Sequence, residues 1–477
     1  MTTHVLSGLN AVQQVGNRPD PTLPMPVGEI AGRLGTVLSS ASRLCGELAE
    51  LELLERGSAY GTYRIGRRAI ELSGRAAAPF ARSVRSALTL VATLTGETAC
   101  LAAPTAQGMR VVASVESVWP LRAHAKVGES VDDARRAIVR AARLEDTDGP
   151  SRALRAESTI GMGVEIAVPV MSPVGECVAV LAARLPVSRA AKVVPRARRV
   201  LDEARRLLER TVDDELDRPN IAAGGPLGRD GSPLGLEAAL RIVWHLSAGR
   251  DSLAGIATGT GLRPDRVRRL LESCGRAGVV RRSKDGARFE ASWAVHGWHR
   301  AATLPMILEK GRPLVAEAAA TTGVCAFITV LNGMHSLTLV EELQSVGEGL
   351  SMTPWLGRLA PIIGSDGGPT LASDFEADEL RRVLPNRHPP EQVEKFLRRF
   401  ARAGRDGVLS MKSIDELGII SISAPVRDSS NSVAAAACLV GSTDSIRPRT
   451  RELEGVARRL GARVSRLIGA PEDAPGP

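Results

Sequence analysis

The sequence predicts an α+β chain in which one unit occurs twice in tandem: a helical segment closing in a hairpin, then strands mixed with flanking helices. Three observations predict it. The chain resembles itself at an offset of 226 residues, its hydrophobic period switches between helical and strand-like stretches, and Asp213 to Gly235 is rich in Asp, Gly and Pro, as a linker would be.

The offset is set by placing Gly35 over Gly261. Ile30-Ala31 then falls on Ile256-Ala257, Arg43-Leu44 on Arg269-Leu270, Leu54 on Val280, Arg56 on Arg282 and Tyr63 on Phe289, with no gap from Gly28 to Ile65. Beyond that the pattern continues with small length changes. Leu94-Thr95-Gly96-Glu97-Thr98 resembles Thr321-Thr322-Gly323-Val324, Gly108-Met109 matches Gly333-Met334, and Val168-Pro169-Val170 matches Ala424-Pro425-Val426.

In the second half, Leu236, Leu240, Val243 and Leu246 recur at helical spacing and predict a first helix. Ser252 is placed to cap a short helix over Leu253–Thr258. Gly259-Thr260-Gly261 makes a turn, and from Asp265 a third helix buries Val267, Leu270, Leu271 and Cys274, with Arg266, Arg268 and Arg269 beside that stripe. The helix ends near Gly278, Val279-Val280 starts a strand, Lys284-Asp285-Gly286 carries a hairpin signal, and Phe289 returns on the second strand. This is the pattern of a winged helix-turn-helix, whose third helix fits a major groove and whose basic hairpin lies along the neighbouring backbone. An Arg-rich solvated helix with an ordinary hairpin is the plainer alternative.

These segments resemble the IclR family of bacterial regulators. Gly261-Leu262-Arg263-Pro264-Asp265-Arg266-Val267-Arg268-Arg269-Leu270-Leu271 is similar to that family's recognition segment, as is Gly35-Thr36-Val37-Leu38-Ser39-Ser40-Ala41-Ser42-Arg43-Leu44, continuing to Leu53-Leu54-Glu55-Arg56. Tyr63-Arg64-Ile65-Gly66 matches the family's wing, Leu94–Thr98 the opening of its effector domain, and Ile419–Val426 a late strand of that domain. The resemblance implies two winged helix-turn-helix domains, each joined by a linker helix, around Arg67–Ser73 and Val295–Ala302, to a GAF-like antiparallel-sheet effector domain. It also implies dimeric assembly and a metabolite that changes the grip on DNA.

The expected organisation follows: residues 1–66 and 236–293 form the two DNA-binding-type domains. Residues 67–212 form a linker helix with a first, shortened effector-like domain, and 294–470 form the second. Residues 213–235 are a linker and 471–477 a disordered tail. The shortening shows in length, with 35 steps from Gly128 to Gly163 against 61 from Gly357 to Gly418.

The halves differ in charge. Residues 263–288 hold Arg263, Arg266, Arg268, Arg269, Arg276, Arg281, Arg282, Lys284 and Arg288 against Asp265, Glu272 and Asp285, a net of +6. Residues 37–62 hold Arg43 and Arg56 against Glu47, Glu50, Glu52 and Glu55, a net of −2. Phosphate neutralisation drives DNA affinity, so the second half is expected to dominate. The candidate DNA contacts are Ser39, Ser40, Ser42 and Arg43 in the first half, and Arg263, Arg266, Arg268, Arg269, Lys284 and Arg288 in the second. The first half also carries a Pro-rich insertion, Gly16 to Val27, between its first two helices. Cys325, Met352, Trp355 and Ser421 are the candidate effector pocket, with core packing as the alternative for each. At Ser413 and Ile414 the sequence departs from the acidic pair common in the family.

Bulk properties bound the function. A chain of 477 residues suits three or four domains, and 44% hydrophobic with 24% charged residues is ordinary for globular proteins. No apolar run reaches the ~18 residues a membrane span needs, and the N-terminus lacks a basic, then apolar, leader. A cytoplasmic protein is expected. The formal charge of +9 fits a polyanion partner, although only six of the 62 basic residues are Lys, and Arg-rich composition alone can raise charge. The six Cys stand singly, as reduced packing residues do. His296-Gly297-Trp298-His299 has no partner ligands for a metal. Neither Thr258–Gly261 nor Gly364–Gly368 follows the strand and opens the helix that a phosphate loop requires, and no Gly-x-Ser-x-Gly is present. No catalysis, cofactor or metal is expected. Few aromatics leave no stacking platform for single strands, so duplex DNA is the expected partner, with a small organic metabolite as effector. The chain is expected to form a homo-oligomer or an intramolecular pseudo-dimer. The alternative is a sensor or scaffold protein that dimerises through its GAF-like domains without reading DNA.

Overall fold

The computed structural model describes residues 2–105, 108–144, 154–216, 233–283, 286–345, 352–384, 388–413 and 418–471. It divides into two compact units, Met1–Val91 with Glu97–Ala302, and Ala92–Gly96 with Thr303–Pro477.

The first unit opens with α1 (Thr2–Gly16), β1 (Met25–Pro26), α2 (Val27–Leu34), α3 (Leu38–Glu50), β2 (Leu54–Arg56) and β3 (Thr62–Ile65). A 29-residue helix, α4 (Arg67–Thr95), follows. An antiparallel sheet comes next, with β4 (Thr98–Thr105), β5 (Gly108–Val115), β6 (Ser130–Val131), the short α5 (Ala137–Ala141), β7 (Ala156–Ile160), β8 (Gly163–Met171) and β9 (Cys177–Pro186), then the long α6 (Val187–Leu216). A second block of helices and hairpin closes the unit: α7 (Gly235–Leu246), β10 (Asp251–Ser252), α8 (Leu253–Thr260), α9 (Pro264–Arg276), β11 (Val280–Arg282) and β12 (Arg288–Ala291). A 3-10 turn at Trp293–His296 leads into α10 (Gly297–Met306).

The two helical blocks keep the 226-residue offset in their backbone. α3 and α9 share bounds at that offset, as do α2 and α8. The three-stranded sheets also agree in register: Met25↔Tyr63 and Leu54↔Ile65 in one, Asp251↔Phe289 and Val280↔Ala291 in the other. Each short helix ends in a left-handed glycine, Gly35 at φ 61° and Gly261 at φ 66°, where a side chain would be strained. Ser252 caps α8, its hydroxyl accepting from the Gly255 N–H at 3.1 Å.

Several expected boundaries shift. The first linker helix does not stop at Ser73, because Leu72, Ala76, Ala77, Ala81, Val84, Leu88 and Val91 continue one buried stripe past Pro79. α6 runs to Leu216, beyond the expected linker start at Asp213, and α8 runs through Thr260, which leaves Gly261 alone as the turn. Residues 217–232 of the expected linker, and the tail from 472, lie outside the described residues.

The second unit has the same sheet plan. After a π-turn at Ile307–Gly311, ahead of Pro313, come α11 (Arg312–Thr322), β13 (Cys325–Asn332), β14 (His335–Glu342) and β15 (Leu359–Pro361). Among the described residues three helices intervene, α12 (Gly368–Leu371), α13 (Ala377–Val383) and α14 (Pro390–Asp406), where the described residues of the first sheet have only α5. Then follow β16 (Leu409–Lys412), β17 (Ile419–Arg427), β18 (Val433–Ser442), α15 (Thr443–Ile446) and α16 (Thr450–Leu467). Strand orders correspond, β6-β5-β4-β9-β8-β7 and β15-β14-β13-β18-β17-β16. The extra residues between Gly357 and Gly418 thus build helices over one sheet face. On the opposite face, Ile328, Ile422, Ala437 and Leu439 form a core with Val315 of α11 and Leu453, Leu460 and Val464 of α16. No helix among the described residues is long and apolar enough to cross a membrane.

Candidate nucleic-acid interface

α9 is built as a two-faced helix. Pro264 occupies its first turn, where a missing N–H costs nothing. Val267, Leu270, Leu271 and Cys274 are buried, each large chain contributing about 2 kcal/mol. The opposite face is open, with Arg263, Arg268, Arg269 and Arg276 all exposed. Arg268 Nη1 lies 3.8 Å from Asp265 Oδ1, with both side chains largely in solvent, at 72% and 89%. Arg269 Nε donates to the Asp265 carbonyl at 3.3 Å. These contacts leave the guanidinium groups accessible. Arg266 is placed differently: it is half-buried at the edge of the apolar stripe and donates to the Pro233 carbonyl.

The hairpin beside α9 splits its basic residues between two jobs. Arg281 is internal, 3.1 Å from Glu176 and 3.9 Å from Glu290. Arg282 lies over the Phe289 ring at 5.7 Å and donates to the Gly286 carbonyl at 2.9 Å. Arg288 is exposed, its main-chain N–H bound to Ser283 Oγ at 3.0 Å. Lys284 lies outside the described residues.

The first block has the same frame with a different surface. Ser39, Ser42 and Arg43 are exposed and Ser40 is half-buried. Arg56 sits over Tyr63 at 5.8 Å, the counterpart of Arg282 over Phe289. Arg64 is held by Glu55 at 2.6 Å, and Glu47 by His4 at 2.7 Å. Sequence reasoning missed three exposed apolar groups here: Val37 and Leu38 at the start of α3, and Tyr60 at the hairpin tip. Val37 and Leu38 are in phase with the buried stripe Ala41, Leu44, Cys45 and Leu48, so periodicity gives no sign that they project beyond the core. Apolar groups at such a position can meet thymine methyls.

The two blocks pack on one another within the first unit. Gly8 of α1 lies against Leu236 of α7, and Gln13 donates to the Ala277 carbonyl just after α9. Trp298 Nε1 donates to Asn17 Oδ1 at 2.7 Å, and Arg75 sits 5.2 Å over the Trp244 ring. Ser73 Oγ donates to the Val295 carbonyl at 2.6 Å and lies 3.0 Å from His299 Nδ1. His296 stacks on Phe80 at 5.9 Å. Burial, followed by the charge of Arg300, holds both histidines well below 6.5. They are neutral packing groups, and among the described residues no cluster suited to a metal is present.

The four candidate effector residues share one face of the second sheet. Cys325 and Ser421 both pair with Val440, and Trp355 packs on Phe327 with ring centroids 5.3 Å apart, beside Met352. Cys325 Sγ accepts from the Gln344 N–H at 3.3 Å. Ser413 N–H is bound to the Ile419 carbonyl at 3.0 Å, and Ile414 lies outside the described residues.

No family model matches the chain, and no curated protein does. Among solved structures, a putative IclR-family transcriptional regulator from Rhodococcus sp. is similar at 20% identity and a TM-score of 0.36, covering 50% of this chain and 98% of that one. HmgR of Pseudomonas aeruginosa is similar at 19% identity and a TM-score of 0.35, covering 50% of this chain and 98% of its own. An IclR homologue from Microbacterium hydrocarbonoxydans, solved with 4-hydroxybenzoate, is similar at 17% identity and a TM-score of 0.31, covering 49% of this chain and 98% of its own.

Proposed function

We propose that the chain is a duplex-DNA-binding transcription regulator of the IclR type, a tandem duplication with two winged helix-turn-helix readers. The observation that carries the reading is the open arginine face of α9, backed by a buried stripe and set behind the left-handed Gly261. A helix so mounted can present Arg263 and Arg268 to base edges, while Arg269, Arg276 and the hairpin's Arg282 and Arg288 lie against phosphates. The wing supplies a second line of charge through Arg282 and Arg288. In this reading α3 is the weaker reader, contributing hydroxyl and apolar contacts through Ser39, Ser42, Val37 and Leu38.

The cross-block contacts of Gln13, Asn17, Ser73 and Arg75 support an intramolecular pseudo-dimer, in which one chain supplies both readers of a two-part site. A small organic metabolite on the Cys325–Ser421 face of the second sheet would modulate the grip. The role is one of binding, with no step of catalysis.

The test is titration of a fluorescent duplex, taken from the DNA upstream of the protein's own gene, across a salt series. Four to six phosphate contacts predict a log–log salt slope of about −4 to −5. An affinity that is immeasurable at 50 mM salt overturns the reading.

A further inference from the structure

The two six-stranded sheets correspond residue by residue through their register. Pro169 pairs with Val180 and Pro425 with Ala436, and counting back in twos from these prolines sets Glu165 over Ser421, Arg184 over Val440 and Thr98 over Cys325. In the second sheet this place is uncharged. Ser421 is fully buried, and its hydroxyl makes no hydrogen bond among the described residues.

In the first sheet the same place holds a carboxylate in a complete set of donors. Glu165 Oε1 accepts from Arg136 Nη2 at 2.6 Å and from Arg184 Nε at 2.9 Å. Its Oε2 accepts from the Ile138 N–H at 3.0 Å and from Arg136 Nε at 3.4 Å. Arg184 also donates through Nη1 to Glu129 Oε1 at 2.8 Å and to the His124 carbonyl at 2.9 Å. The Glu165 and Arg184 side chains are 5% and 4% exposed. Burial pushes the Glu165 carboxyl up, but Arg136, Arg184 and the Ile138 N–H outweigh it and hold the group below the usual carboxylate range.

Two guanidinium groups and a main-chain N–H converging on both oxygens form the donor set that captures free carboxylates. Here the anion is tethered to β8. The local charges balance, Arg136 and Arg184 against Glu165 and Glu129, so deleting Glu165 alone strands a buried cation. We propose that the first sheet bears a seat for a small carboxylate which the chain fills with its own Glu165, so that this half takes no acidic ligand while that side chain is present. The two sheets are then functionally unequal, and any metabolite response belongs to the second.

The test is chemical rescue in the full-length chain. Glu165→Ala removes a CH2–COO− fragment, the skeleton of acetate. Acetate at 100 mM, against chloride at equal ionic strength, should raise the variant's melting midpoint by about 5 °C, with a dissociation constant on the order of 1 mM. Wild type and Glu165→Gln should not respond, butyrate should be too large, and adding Arg184→Met should abolish the effect. Equal shifts in wild type and Glu165→Ala, or no shift, overturn the proposal. If Glu165→Ala does not fold on expression, refolding from urea decides: native yield in acetate and not in chloride supports the seat, and equal failure in both rejects it. Since the readout involves no DNA, its failure leaves the proposed regulator standing, and loss of DNA binding leaves the seat standing.

Discussion

Replacing Arg269 and Arg276 by glutamine removes two cations from the open face of α9 without touching Val267, Leu270, Leu271 or Cys274. If both meet phosphates, the log–log salt slope should fall by about 1.8, since each neutralised phosphate contributes about 0.9. Relative to a 1 M reference, each such contact is worth roughly eightfold in affinity at 0.1 M salt, so the double variant should bind about 60-fold more weakly there. The parallel variant, Ser39→Ala with Ser40→Ala, removes hydroxyls and no charge, and should leave the slope unchanged with a loss of only a few-fold. Fluorescence anisotropy from 50 to 300 mM KCl measures both. Urea unfolding is the control, and it should show no change in midpoint because neither arginine is part of the core. Equal losses in the two variants, or an unchanged slope in the arginine variant, would refute the assignment of α9 as the dominant reader.

Two further outcomes follow from the packing. Gly261→Ala places a side chain at φ 66° with no atom within 4 Å of its Cβ, so the cost is backbone strain alone, about 1 kcal/mol by chemical denaturation. His296 and His299 are buried with depressed affinity for protons, so the folded chain excludes protons that the unfolded chain accepts. The stability they permit is fully present above pH ~6.5 and is lost as pH falls below it, by up to about 1.4 kcal/mol per pH unit for each histidine. His296→Phe should therefore flatten the fall in urea midpoint between pH 7 and 5, and an unchanged pH dependence would contradict the burial argument.

Much of the frame was legible in the sequence because it is local. The offset read from Gly35 and Gly261 reappears in strand register as far as Met25 and Asp251, since turn glycines and apolar stripes act over a few residues. α9 was legible for the same reason. Arg266 was not: its place at the edge of the stripe lets it turn back to Pro233, a carbonyl 33 residues away in sequence. The helix from Arg67 was read too short because Pro79 interrupts a pattern that packing nonetheless continues. Least legible was the surrounding of Glu165. Arg136 and Arg184 lie 29 and 19 residues from it in sequence, and only the β8–β9 register and the position of α5 bring them together. Cys325, Met352, Trp355 and Ser421 do share a sheet face, but which of them would touch a ligand depends on how segments cover that face, which no local period encodes.

The most direct measurement of the central claim is dimethyl sulfate footprinting of a bound duplex, because guanine N7 lies in the major groove. The account predicts protected N7 positions in two clusters about one helical turn apart at one chain per duplex, the stronger cluster disappearing in Arg263→Ala with Arg268→Ala. Tight binding that leaves every guanine N7 reactive would contradict it, since no arginine helix would then lie in the groove.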